Sequence, residues 1–466
     1  MLSVMVGTMA SLMSATVVNV AIPGMSHAFA LNQERAQWVS SGFMVAMTVS
    51  MLTTPWLLAR FGYRRTYDGT MLLLLLGGLV GGLAPWFPLV LAARVAEGLA
   101  AGVVQPIPAI VMMRAFPPSE QGRASGMFGM GVVLAPALGP SIGGILVDLW
   151  GWRSIFFMVV PFCLASIWLA HRYIPTSAPG GVAAGKHHAA LDWRGLLLGA
   201  AGTLALLNGL LEIRGNQRWL AGVLLLASAL FFGAMAWWLH RARRRGHDAL
   251  LDPAVFRHRA YTIGSLVALI YGIGLYGSTY LLPVFMQLGL QLPASHVGTI
   301  LLPSGIVLAI TIGIAGRLTR RLPTHVMVSF GLALLAASFA LMPMVDLHTG
   351  LYVLVACAIL GRIGLGFVLP SLNLGAMRPL DKAEIPQGAS LINFLRMLGG
   401  AAGVSLCAIV LEWRLAAHGA TLTGATSPER LAAFDESFLM LAGICAVAML
   451  LAWQLKGPPQ GDLPAQ

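Results

Sequence analysis

Charge is scarce in this sequence. Asp, Glu, Lys and Arg make up only 10% of its 466 residues against 58% hydrophobic, which leaves too little polar surface for a water-soluble globule of this length. Acid is scarcer than base, with 17 Asp and Glu against 29 Lys and Arg. Cysteine is nearly absent. Cys163, Cys357, Cys407 and Cys445 stand singly in apolar stretches without CxxC or metal-like spacing, so they read as small packing groups, and no disulfide framework, metal site or redox compartment follows from them. The histidines are scattered, and no Ser, Asp and His set converges on one loop. A membrane-embedded lipid-modifying transferase would need such a set, so enzyme chemistry and a cofactor are not expected.

What the sequence does have is long apolar runs. A bilayer-crossing helix needs ~20 apolar residues, and fourteen such segments separated by short polar breaks run from residue 3 to residue 455. The fold class expected is therefore an all-α polytopic membrane protein. The first segment is too long for a signal h-region and reads as a retained span. The excess of base points to the lipid bilayer rather than to nucleic acid, because most of the Lys and Arg fall in alternate breaks, the positive-inside pattern with both termini cytoplasmic. The strongest run, Arg241 to Arg245 with Arg257 and Arg259, lies on that side, where anionic headgroups are its nearest partners. The main polar interruption, PTSAPGGVAAGKHHAALDWRG, has the Pro, Gly and Ser content of a linker, and the adjacent His187 and His188 in it are expected to be solvated.

The centre of the pattern is Gly131 to Gly144, GVVLAPALGPSIGG. Gly131, Ala135, Gly139 and Gly143 recur every fourth residue and form one smooth stripe on a helix, open to close approach by a neighbour. Pro136 and Pro140 interrupt that helix by removing backbone donors. With Gly144 these residues make a bent, small-surfaced element suited to pivoting. Earlier, the run SATVVNVAIP puts Asn19 in hydrocarbon, where its amide needs a partner on another helix or in a cavity. The fourth span carries Arg94 and Glu97 on one face with Gly98, Ala101, Gly102 and Gln105. Glu97 lies ~13 Å from the nearest break, close to mid-bilayer, where ionisable residues are functional candidates. The alternative for this pair is a structural ion bridge that fixes helix register. The tight break after the second span carries Arg60, Gly62, Arg64 and Arg65. In the later spans the polar groups include Tyr276, Tyr280, Gln287, Asn373, Asn393 and Arg396, with no deep acid. Thr426 to Glu429 has the pattern of a cap for a short helix in the break from Glu412 to Glu436.

Three weak echoes recur in the same order at near-equal spacing. PWLLARFG (55 to 62) reappears as GRLTRRLP (316 to 323), Arg94 with Gly98 as Arg362 with Gly366, and Gln121–Gly122 as Gln387–Gly388. Together they predict two six-helix bundles in parallel orientation with an inserted pair of helices between them. The expected organisation is an N-terminal bundle over 1–174, a linker with two additional helices and a basic cytoplasmic loop over 175–260, a C-terminal bundle over 261–457 and a tail over 458–466.

On these residues the chain resembles the major facilitator superfamily, and within it the fourteen-span drug:proton antiporters of the EmrB/QacA type. GPSIGG (139 to 144) is similar to that group's antiporter signature, RVAEG (94 to 98) to its span-four element, and RFGYRR (60 to 65) to the end of its loop between spans two and three. TVVNVAIP (16 to 23), LDWRG (191 to 195), LLDPAVF (250 to 256) and LINFLRMLGGAAG (391 to 403) resemble its span-one, linker, mid-chain and span-thirteen sequences. There are departures. Ser14 stands where the family usually has a span-one acid, Ala59 and Pro55 replace the acid and leading glycine of its loop element, and Glu97 replaces a common Gln.

The resemblance implies a major facilitator fold in a bacterial inner membrane and proton-coupled efflux of amphipathic or hydrophobic small molecules by alternating access. Protons are the coupling ion, Glu97 with Arg94 the coupling site, and the glycine-proline stripe the conformational motif. Arg60, Gly62, Arg64 and Arg65 form the cytoplasmic gate loop, and Asn19, Gln105, Tyr276, Tyr280, Asn393 and Arg396 line the cavity. By analogy a periplasmic adaptor protein is a further expected partner at the exported loop that carries His418. Ser14 keeps a second transport reading open, a proton-independent facilitator or an exporter of one endogenous metabolite.

Overall fold

The computed structural model describes residues 2–31, 33–174, 190–213, 218–245, 250–345, 349, 351–422 and 426–456. His187 and His188 lie outside them, as do the side chains of Ala135, Pro136 and Pro140. The described residues are helical, with turns between the helices and no strand. Thirteen stretches are long and apolar enough to cross a bilayer, and a further helix, α7 (Pro118–Trp150), is 33 residues long.

Proline decides where spans divide. The second span is α2 (Gln33–Ser50), a 3₁₀ turn over Met51–Thr53, and α3 (Thr54–Phe61) with Pro55 in its first turn. The fourth is α5 (Phe87–Val104) and α6 (Ile107–Ala115), parted at Gln105 and Pro106, because a proline nitrogen has no hydrogen to continue the ladder. After Pro283, α11 (Arg259–Val284) widens into a π turn over Phe285–Gly289. The expected interruption of the fifth span does not occur: α7 is helical throughout, across both Pro136 and Pro140. Proline is tolerated inside a bilayer helix when neighbouring elements and small local adjustments take up the freed carbonyls.

The remaining helices are α1 (Leu2–Phe29), α4 (Tyr63–Leu83), α8 (Ser154–Tyr173), α9 (Trp193–Glu212), α10 (Arg218–Arg244), α12 (Ala294–Leu318), α13 (Thr324–Leu341), α14 (Leu351–Met377), α15 (Ile385–Ala417) and α16 (Pro428–Ala452). Among the described residues no separate short helix precedes the last span. Ser427 caps α16 directly, its hydroxyl accepting from the Arg430 amide at 3.3 Å, so the break expected from Glu412 to Glu436 shrinks to the residues between α15 and α16.

The chain divides into two compact units. One comprises Met1–Pro117, Met127–Pro253 and Lys382–Phe394, the other Pro118–Gly126, Ala254–Asp381 and Leu395–Gln466. In the first, α5 packs against α1, α2 and α4, and α8 against α1 and α4. In the second, α14 packs against α11, α12 and α13, and α16 against α11 and α13. These are the same partners under the correspondence α1 to α11, α2 to α12, α4 to α13, α5 to α14 and α8 to α16. The internal repeat is thus written in the packing of each unit.

The inserted helices α9 and α10 pack on one another and α9 on α2. Their joint is built on Asp192. Its carboxylate accepts from the Gly195 amide at 2.9 Å as the N-cap of α9, from the Trp238 indole of α10 at 2.9 Å and from the Leu250 amide at 3.2 Å. One acid of the LDWRG run therefore satisfies a helix end, a neighbouring helix and the chain that leaves it. Asp192→Ala is expected to destabilise the protein by about 1–2 kcal/mol through the lost cap and the stranded indole N–H. A lower melting temperature in detergent, with Asp192→Asn retaining part of the difference, checks this.

Candidate functional site

Arg94 and Glu97 meet as the i, i+3 spacing requires, and both side chains are about 1% exposed. Arg94 Nη1 donates to Glu97 Oε2 at 2.6 Å, to the Ser14 hydroxyl at 2.9 Å and to the Ser14 carbonyl at 3.2 Å. Arg94 Nε donates to the Val39 carbonyl at 3.3 Å, and the guanidinium stacks 4.2 Å from the ring centre of Phe43. One arginine thereby ties α5 to α1 and α2. Two buried atoms of the pair, Arg94 Nη2 and Glu97 Oε1, have no hydrogen-bond partner among the described residues.

Glu97 turns toward α4, where glycine makes room for it. A Cβ on Gly77 would stand 2.7 Å from Glu97 Cγ, and one on Gly78 2.8 Å from the Phe156 carbonyl oxygen and 3.7 Å from Glu97 Oε1. The rest of the predicted α5 face makes close helix contacts. Gly98 and Gly102 press on the α2 backbone at Phe43 and Met47 with no space for a side chain, and Gln105 ends α5, its backbone amide donating to the Ala101 carbonyl at 3.1 Å.

The small-residue stripe of α7 packs on α1, on either side of the residue that holds Arg94. A Cβ on Gly131 would meet the side chain of Met5 at 2.7 Å, one on Gly139 the Thr16 hydroxyl at 2.8 Å, and one on Gly143 the Val17 side chain at 2.6 Å. Gly144 has more room, with Val20 at 4.0 Å. The second unit repeats the device: Gly399, Gly400 and Gly403 of α15 lie on Leu269, Tyr276 and Ile273 of α11.

The remaining predicted residues are spread over both units. Asn19 is exposed and has a partner on a neighbouring helix, accepting from the Ser40 hydroxyl of α2 at 2.9 Å. Asn393 is buried and donates to the Ala389 carbonyl at 2.8 Å. Tyr276 donates to Met397 Sδ at 3.4 Å, with Tyr280 one turn on and both half-buried. Arg396 lies in the electrostatic neighbourhood of Tyr271. Gly62, at φ +78°, is the single residue between α3 and α4, in a conformation that favours glycine. Arg60 stacks on Trp56 and Phe61, and Arg64 pairs with Asp68 at 3.9 Å and with His171.

Arg65 lines an apolar cavity of about 460 Å³ bounded by α2, α3, α4, α5 and Leu196 of α9. None of the predicted cavity residues lines it. Two further contacts involve residues the repeat singled out: the Asp252 amide donates to Gln387 Oε1 at 2.8 Å, and Gly122 with Gly126 lies directly on Gly316 and Thr319 of α12. Sequence reasoning passed over Ser14 as a bonding group and Arg114, which donates to Tyr63 Oη at 2.7 Å and to the Lys382 carbonyl at 2.8 Å. The basic residue closing the fourth span was the available signal for Arg114.

The chain thus has two helical units with parallel internal packing, a buried ion pair in one of them and small-residue seams in both. A profile of the Major Facilitator Superfamily matches residues 4–404, and the chain belongs to that family. It is 28% identical over 440 residues to the Multidrug resistance protein B homolog of Mycobacterium tuberculosis, covering 91% of this chain and 79% of that one. It is 22% identical over 446 residues to the riboflavin transporter RibZ of Clostridioides difficile, covering 96% and 94%. Among solved structures, that of the human organic anion transporter MFSD10 (TETRAN) shares the fold with a TM-score of 0.67 at 18% identity, covering 97% of this chain and 98% of that one.

If the α7 seam works as a close backbone contact, Gly143→Val is expected to lower the melting temperature by several degrees through overpacking against Val17. Gly144→Ala, which meets its nearest atom at van der Waals distance, is expected to leave it unchanged. Thermal unfolding of both variants in detergent reads the difference.

Proposed function

We propose that the chain is a fourteen-span drug:proton antiporter that exports amphipathic or hydrophobic small molecules across a bacterial inner membrane by alternating access, with both termini cytoplasmic. The observation that carries this reading is the sealed Arg94–Glu97 pair roofed by Ser14 of α1. A mid-membrane carboxylate with one oxygen unpartnered is costly unless its charge is put to use. Movement of α1 along the α7 seam would withdraw Ser14 from Arg94 and change both the hydrogen bonding and the water access of Glu97. A proton is then taken up on one side and released on the other. The relatives named for multidrug resistance support the cargo class, and the loop between α15 and α16, beside which Arg414 of α15 and His418 converge on Glu436 of α16, is the surface for a periplasmic adaptor.

One observation favours the second transport reading. The span-one residue that faces the pair is a neutral serine, already committed to Arg94, and a relative of near-equal coverage is named a transporter of riboflavin. A proton-independent exporter of one metabolite would keep the pair as a permanent clamp.

In sealed vesicles with an imposed pH gradient, Glu97→Gln is expected to lose gradient-driven efflux by at least tenfold while substrate counterflow without a gradient persists. Full gradient-driven transport by this variant would remove Glu97 from coupling. Collapse of wild-type efflux by an uncoupler separates the two readings, since the facilitator would run on unchanged.

A further inference from the structure

The apolar cavity that Arg65 lines, about 460 Å³, falls in the ~300–1,000 Å³ range of small-molecule pockets, and none of the groups assigned to coupling or cargo lines it. Helix termini mark one end of it. Phe61 is the last residue of α3, Arg65 the third of α4 and Leu196 the fourth of α9, and all three belong to its wall. Leu73, also in the wall, lies ~12 Å along α4 from Arg65, most of the ~15 Å that one leaflet contributes to the hydrocarbon core. Phe61, Leu73 and Leu99 are exposed, so the cavity is a groove open sideways to the bilayer. It runs from the end of the spans toward the middle of the membrane.

Inside the groove the hydroxyl protons are already spent. Ser50 donates to the Met47 carbonyl at 3.2 Å, Thr53 to the Ser50 carbonyl at 2.7 Å, Thr66 to the Leu57 carbonyl at 2.9 Å and Thr70 to the Thr66 carbonyl at 2.6 Å. What the interior offers a guest is therefore hydrocarbon contact. The rim is different. Of the arginines around the turn between α3 and α4, Arg60 stacks on Trp56 and Phe61, and Arg64 pairs with Asp68 and His171. Arg65 is exposed and makes neither an ion pair nor a hydrogen bond among the described residues. Its planar guanidinium suits a phosphate by paired N–H···O bonds, and Arg60, 5.9 Å from the ring centre of Phe61, adds a second positive charge to the same rim. An apolar body about one leaflet long with an anionic head at the water boundary is the shape of a phospholipid.

We propose that this groove holds one acyl chain of an anionic phospholipid, with the phosphate on Arg65. Because Leu196 of α9 forms part of the wall, the lipid bridges α4 and the inserted hairpin. A soluble amphipathic anion shares the head chemistry, but a groove open along a span is filled from the bilayer. The site is independent of what the chain transports.

The test uses the purified full chain in an uncharged detergent, with bound lipid counted by native mass spectrometry. The probes have identical chains: dioleoylphosphatidylglycerol and the zwitterionic dioleoylphosphatidylcholine. Gly69 lines the groove and an added Cβ there meets nothing within 4 Å, so Gly69→Leu fills the groove, whereas Arg65→Gln removes only the charge. Wild type is expected to hold one phosphatidylglycerol at least tenfold more tightly than phosphatidylcholine. Arg65→Gln is expected to bring that lipid down to the phosphatidylcholine affinity, with Arg65→Lys recovering part of the difference, and Gly69→Leu to lose the bound lipid of either head. Lipids held by the basic run from Arg241 to Arg245 are common to all variants and cancel in the comparison. Equal retention of the two lipids by wild type, a preference that survives Arg65→Gln, or retention undiminished in Gly69→Leu would overturn the site. Should one variant fail to fold, the other and the wild-type comparison still decide it. Oleate bound by wild type while phosphatidylglycerol is not retained would also overturn it, by assigning the groove to free amphipathic anions.

Discussion

The rest of the first unit is arranged around the cost of holding an arginine in hydrocarbon. Arg94 is compensated from four directions, by a carboxylate one turn away, a serine on α1, a backbone carbonyl on α2 and an aromatic ring. Each of these partners fixes a helix. Glycines at 77, 78, 98 and 102 then bring the backbones of α4 and α2 close enough to exclude water. The polar cluster and the glycine contacts are two halves of one solution, since an ion pair in a loosely packed bundle would be hydrated and would cease to specify helix register.

Compensation differs between the units, and the difference follows from a single position. With Leu365 where the first unit has Glu97, the second unit keeps the cation without the anion. Its helices are otherwise joined in the same way, by a small-residue seam of α15 on α11 that parallels the seam of α7 on α1. The scaffold is duplicated and the electrostatics are not.

Much of this was legible from residue pattern. The number of spans followed from apolar length, the ion pair from its spacing, the close contact of α7 from its four-residue period, and the repeat from three short echoes. Other features were not legible because they depend on contacts remote in sequence. Nothing local to Ser14 announces that Arg94 will reach it from α5, and nothing local to Asp192 announces Trp238. The continuity of α7 through Pro136 and Pro140 shows the limit of reading proline by rule, since its cost depends on what surrounds the freed carbonyls. Polarity within a span selects residues that need a partner, and Asn19 and Asn393 found theirs in a neighbouring serine and a carbonyl one turn back.

The Asp192 joint makes α9 and α10 a self-fastened hairpin. Because α9 and α10 are pinned chiefly to one another, and the repeated pattern of contacts in the two units omits both, the pair has the character of a graft: its excision would leave every symmetric contact of the twelve other spans in place. A hairpin that carries its own fastening adds two helices without altering the repeated contacts on which each unit is built.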